Sequence, residues 1–202
     1  MRLGVLGGTF DPVHLGHLIV AESAREAAQL DRVLFVPAGQ PWHRGERPHA
    51  SAADRLAMVE RAIAGNPAFA VSRVDIDRPG PTYTVDTLEA LRRQYPDAAL
   101  ILLLGQDALA QFASWREPAR IAQLGEIVAF ARPGAPPIDL AALHPAIPDA
   151  PLRVRFLDSP QIGISATMIR ARVQAGHSIR YLTPDPVVAY IAQRRLYRRG
   201  QS

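Results

Sequence analysis

Gly7-Gly8-Thr9-Phe10-Asp11-Pro12-Val13-His14-Leu15-Gly16-His17 decides how this chain is read, because it joins a short apolar strand, Arg2 to Leu6, to a helical stretch running from about Leu15 to Gln29. A second apolar run, Val33 to Val36, stops at Pro37 and gives way to a loop rich in Gly, Pro, His and Arg as far as Ala50. Strand, helix, strand is the pattern of a parallel sheet. In such sheets ligands bind where a strand's carboxyl end turns into a helix, which is where the two glycines and two histidines stand.

Downstream the alternation continues. Ser51 and Asp54 read as a capping box ahead of a helix whose Leu56, Val59 and Ile63 share a face. Phe69 to Ile76 alternates as a half-exposed strand, and Val85, Leu88 and Leu91 form the next helical stripe. Ala98 to Leu104 is a continuous apolar run suited to a central strand covered on both faces. Ile127 to Ala131 and Arg153 to Leu157 read as further strands, separated by a proline-dense connection, Pro133 to Pro151, with a short helix near Leu140. Two helices finish the chain, one capped by Ser165, the other by Thr183 with Pro184 at its first helical position. With no repeat, linker or composition break, the expectation is one α/β domain over residues 1–202, a Rossmann-like doubly wound fold with a mostly parallel central sheet.

Composition narrows the chemistry. The chain has no cysteine, which removes disulfides, thiolate metal sites and cysteine nucleophiles. All 23 of its Lys+Arg residues are arginine. A Walker A loop and lysine Schiff-base chemistry are therefore excluded. A formal net charge of +4 suits a small phosphorylated substrate at least as well as nucleic acid. The arginines at 194, 195, 198 and 199 also fit a helix C-terminus, so no nucleic-acid partner is expected. No apolar run is long enough to span a bilayer or open a secretory signal, so a cytoplasmic protein without a membrane partner is expected.

His14 and His17, three residues apart, fall on one side of the first helical turn. Three uses compete for such a pair: a metal site, which would want further ligands; local capping; and donation to phosphate oxygens whose charge grows in a transition state. No protein-held metal is expected. Gly8, Thr9 and Phe10 would let backbone amides approach an anion.

The block from Gly8 to His17 closely resembles the signature of the nucleotidyltransferase superfamily with the His-x-Gly-His element. Ile164-Ser165-Ala166-Thr167-Met168-Ile169-Arg170 resembles that superfamily's Ile-Ser-Ser-Thr-x-Ile-Arg element, with Ala166 replacing the usual second serine. The resemblance implies that His14 and His17 are catalytic, and that Gly8, Thr9, Phe10, Ser165, Thr167 and Arg170 hold the triphosphate of a nucleotide. Ser165, Thr167 and Arg170 also read as an ordinary capped helix start.

Three further segments are similar to the nicotinate-nucleotide adenylyltransferase branch: Pro81-Thr82-Tyr83-Thr84-Val85-Asp86-Thr87-Leu88; Gly105-Gln106-Asp107 with Trp115; and Tyr190-Ile191 with Leu196-Tyr197. That likeness implies AMP transfer from ATP to nicotinate mononucleotide, with Mg²⁺ carried by ATP. Tyr83, Thr84, Asp107 and Trp115 would contact substrate. Singly, Trp115 also suits packing and Asp107 a helix cap. After Pro41-Trp42-His43 the branch commonly has lysine and this chain has Arg44, a planar fork in place of a point charge. Arg44 and Arg132 are the remaining phosphate-contact candidates. A sibling acting on phosphopantetheine and a non-catalytic nucleotide sensor are the competing expectations, and a homo-oligomer is left open.

Overall fold

In a computed structural model of the chain, residues 1–41, 48–130, 143, 147, 154–158, 160 and 162–198 are described. The strands are β1 (Arg2–Gly8), β2 (Arg32–Pro37), β3 (Gln40–Pro41), β4 (Phe69–Val71), β5 (Pro81–Thr82), β6 (Ala99–Gly105), β7 (Glu126–Phe130) and β8 (Val154–Leu157). The helices are α1 (Leu15–Ala27), α2 (Ala52–Ile63), α3 (Thr84–Gln94), α4 (Gln106–Ala110), α5 (Pro118–Leu124), α6 (Ala166–Gln174) and α7 (Asp185–Gln193). Six strands form one parallel sheet in the order β4-β2-β1-β6-β7-β8. The chain winds outward from β1 and then returns to β6 on its other side, so the topological switch lies between β1 and β6. Continuing their register from Val5 and Leu102 puts Gly8 level with Gly105 at the carboxyl ends.

The apolar run of β6 is explained by cover on both faces. Leu100, Leu102 and Leu104 pack with Val85, Leu88 and Leu91 of α3 and Ile121 of α5. Ile101 and Leu103 pack on the opposite face with Ala21 and Ala24 of α1, Met58 and Val59 of α2, and Val187 and Ile191 of α7.

Three expectations are corrected. The strand begun at Phe69 ends at Val71; Ser72 N–H still donates to Phe35 O, but Asp75 then turns inward and accepts from the Thr87 hydroxyl at 2.7 Å. The last helix is capped at Pro184, and Thr183, 1% exposed, donates its hydroxyl to Val13 O at 2.8 Å. The helix expected to reach Gln29 ends at Ala27, with Gln29 at φ 50. Ser51 caps α2 as expected, accepting from Asp54 N at 3.0 Å, whereas the Asp54 carboxylate is shared among Ser51, Tyr190 and Arg194. The segments expected to hold a helix near Leu140 and the contacts of Arg44 and Arg132 lie outside the described residues.

Candidate active site

β1 delivers Gly8, Thr9 and Phe10 to the crevice at the switch point. Phe10 sits at φ 51 and is 2% exposed as a whole residue, its ring edge-on to His17 with centroids 5.0 Å apart. Its side chain thus supports the histidine, leaving the backbone as the part of Phe10 able to meet a ligand. Asp11 and Pro12 lead to His14 at the cap of α1. The imidazoles of His14 and His17 stack at 3.7 Å and 26°. His14 N–H donates to His17 Nδ1 at 3.2 Å, so the neutral His17 ring carries its own proton on Nε2, where it can be donated. Gly16 between them leaves room for the stack: a Cβ there would stand 3.0 Å from His14 Nδ1, and the ring would have to give by a few tenths of an ångström.

His14 is 8% exposed, and its buried Nδ1 has no partner among the described residues. Burial lowers its pKa to about 4. Two cationic rings would repel at this separation, so a neutral His14 also fits the stack. The unfolded chain protonates this residue near 6.5 and the folded chain only near 4. Between those values the unfolded state binds the extra proton, so His14 makes stability fall as pH drops from 6.5 toward 4, by about 1.4 kcal/mol per unit. Urea unfolding at pH 7 and pH 5 should show a larger acid loss for the parent chain than for His14→Gln; equal losses would remove His14 as the source.

Asp11 knots the surrounding segments together. Its carboxylate, 5% exposed, accepts from His49 N at 2.7 Å, Ala50 N at 3.1 Å and the Tyr197 hydroxyl at 2.7 Å. Burial, with Asp11 adding to it, pushes the Tyr197 phenol far up, which keeps that donor protonated. The Asp11 carbonyl accepts from Arg170 Nη1 at 2.8 Å across 159 positions, while Arg170 Nη2 donates to Thr167 Oγ1 at 3.2 Å. Ser165 Oγ caps α6 by accepting from Met168 N at 3.1 Å. Thr183 on Val13 O and Leu15 N on Leu182 O add two further ties. The two anion-binding elements expected from sequence therefore meet at one crevice, with Ser165 at the opening of α6 and His14 at that of α1.

The other candidates stand along the neighbouring strand ends. Thr82 Oγ1 accepts from Gly39 N and Gln40 N at 3.1 and 3.2 Å, and β3 pairs with β5, which fastens the Tyr83-Thr84 segment to the exit of β2. Tyr83 caps α3, half-buried, with the Arg116 guanidinium 4.7 Å above its ring. Trp115 is half-buried against Phe112 at 5.3 Å, a packing contact that leaves part of the indole exposed. Asp107 lies in the first turn of α4, whose cap is Gly105, so it is exposed at the carboxyl end of β6 without being the cap.

A family model described as cytidylyltransferase-like matches residues 5–172. A relative from Thermomicrobium roseum, named probable nicotinate-nucleotide adenylyltransferase, is 52% identical over 98% of this chain and 92% of its own length. One of the same name from Roseiflexus sp. is 50% identical over 97% and 98% of the two chains. The chain belongs to the nicotinate-nucleotide adenylyltransferase family. Plasmodium falciparum nicotinic acid mononucleotide adenylyltransferase complexed with NaAD shares the fold at TM-score 0.75, with 18% identity and 97% of each chain covered.

For a nicotinate-nucleotide adenylyltransferase family member, the residues that sequence reading missed are Asp11, Tyr197 and Arg55. Asp11 stands in the first motif without an assigned role, Tyr197 donates to its carboxylate, and Arg55 donates to the Thr9 carbonyl; all three are buried. Arg55 had a legible signal: an arginine one turn from Val59, beside Leu56, on a helix whose apolar face enters the core.

Proposed function

We propose that this chain transfers AMP from ATP to nicotinate mononucleotide, giving nicotinate adenine dinucleotide and pyrophosphate. The observation that carries the reading is the Arg170 to Asp11 bond at 2.8 Å, which supports both anion-binding elements acting around one polyphosphate. The mononucleotide phosphate is already a nucleophile. The protein's task is to hold it in line with the α-phosphorus and to steady the charge that moves onto the departing pyrophosphate. His17, donating from Nε2, and His14 serve the α- and β-phosphates. The opening of α6, with Ser165, Thr167 and Arg170, serves the leaving group.

The Tyr83-Thr84 segment and Trp115 border the place for the pyridine ring, and Asp107 that for a ribose. Backbone amides of Gly8, Thr9 and Phe10 complete the nucleotide cradle. Arg44 and Arg132 remain proposed phosphate contacts. Mg²⁺ arrives with ATP, held by phosphate oxygens and water. Among the described residues no helix is long and apolar enough to cross a membrane. A cytoplasmic reaction is part of the proposal.

The test is to incubate the protein with ATP and Mg²⁺ plus nicotinate mononucleotide, nicotinamide mononucleotide or phosphopantetheine, measuring pyrophosphate and identifying products by mass spectrometry. Nicotinate adenine dinucleotide is the expected product. Turnover only with phosphopantetheine, or none with any acceptor, would overturn the reading.

A further inference from the structure

Arg55, in the first turn of α2, is 1% exposed. A guanidinium is costly to bury unless its N–H groups are satisfied. Here Nη1 donates to Thr9 O at 2.8 Å and Nη2 to Gly39 O at 3.0 Å, while Nε has no partner among the described residues. Its opposing charge is Asp11. For mere filling of this volume an apolar side chain would serve better. The choice of partners suggests another purpose.

Thr9 and Gly39 lie just beyond the carboxyl ends of β1 and β2 and so form the floor of the crevice. In a trans peptide the carbonyl and the following N–H point in opposite directions. Drawing Thr9 O into the interior therefore turns Phe10 N–H outward, and that N–H has no acceptor among the described residues. A carbonyl oxygen facing the same way would repel a polyphosphate.

Resting on the proposed adenylyl transfer, we infer that Arg55 is a positioning residue for ATP: it locks the Thr9–Phe10 peptide with its N–H toward the triphosphate and adds a fixed positive charge behind it. The pyridine side keeps a second tie when Arg55 is lost, because Thr82 Oγ1 also accepts from Gly39 N and Gln40 N, whereas Thr9 O is held by Arg55 Nη1. Loss of Arg55 should thus fall mainly on ATP.

The experiment uses full-length Arg55→Met and Arg55→Lys, with kinetics normalised to folded protein. Arg55→Met should lower kcat/KM for ATP roughly tenfold while KM for nicotinate mononucleotide stays within about twofold. Arg55→Lys, keeping the charge and one donor, should recover part of the loss. Equal losses for both substrates, or an unchanged kcat/KM for ATP, would assign Arg55 to stability alone. The parent chain supplies a reading that needs no variant. The Phe10 amide resonance should move on addition of a non-hydrolysable ATP analogue, and a silent amide in active protein overturns the inference. Dinucleotide formation by the parent chain tests the proposed reaction separately, so the two failures are distinguishable.

Discussion

Replacing His17 with alanine is expected to lower turnover by about a hundredfold or more, the scale on which one preorganised transition-state donor is lost, while leaving the fold in place. The ring is half-buried, stacked on His14 and edge-on to Phe10, but it carries none of the core. What the substitution removes structurally is the acceptor for His14 N–H, a bond at a helix start of the kind that contributes about 1 kcal/mol. What it removes chemically is an Nε2–H whose tautomer that same bond had fixed. Steady-state kinetics should therefore show the fall in kcat, with KM for nicotinate mononucleotide little changed and melting lowered by a few degrees at most. Turnover close to that of the parent chain would refute the role assigned to His17.

The sequence disclosed this site unevenly, for physical reasons. Strand, turn and helix around Gly7 and Gly8 were readable because apolar runs and glycine are local signals. The apolar run of β6 announced a central strand because burial on both faces erases alternation. Ser165 was readable as a cap because its hydroxyl acts on the amide three residues on. Asp11 and Tyr197 were not, since they bond each other across 186 positions, and Arg55 was legible only as an arginine on an apolar helix face, its acceptor Thr9 O lying 46 positions away; one-dimensional spacing holds no record of such partners. The same blindness misplaced Thr183, whose hydroxyl looks like a cap and instead reaches Val13 across 170 positions. Phe69 to Ile76 misled for a related reason: Asp75 keeps the alternating pattern after the ladder has ended, because its carboxylate is drawn inward by Thr87 and Arg78. Local chemistry thus pointed to the candidate groups, and the contacts that position them became visible only in three dimensions.

Arg170 is where those two kinds of information converge, and Arg170→Met should cost about a hundredfold in kcat/KM for ATP. Methionine keeps an apolar stem of similar reach, so the half-buried shaft is replaced and only the fork of donors is lost. Two bonds disappear with it, to Asp11 O at 2.8 Å and to Thr167 Oγ1 at 3.2 Å. The first is the longer-range of the two and ties α6 to the loop preceding His14; without it the loop retains the Asp11 bonds to His49, Ala50 and Tyr197. Stability should accordingly fall by only about 1.5–3 kcal/mol, the net worth of a hydrogen bond made by a charged group. On the proposed mechanism activity should fall further than stability, because the variant would lose both the cation proposed to face the departing pyrophosphate and the alignment of the two elements. Arg170→Lys separates these contributions. It restores the charge as a point but cannot bond Asp11 and Thr167 in one plane, so it should recover only part of the lost rate. If lysine restores full activity, charge alone is what the site requires and the alignment argument fails. If Arg170→Met keeps activity near that of the parent chain, the second element does not act on the polyphosphate at all.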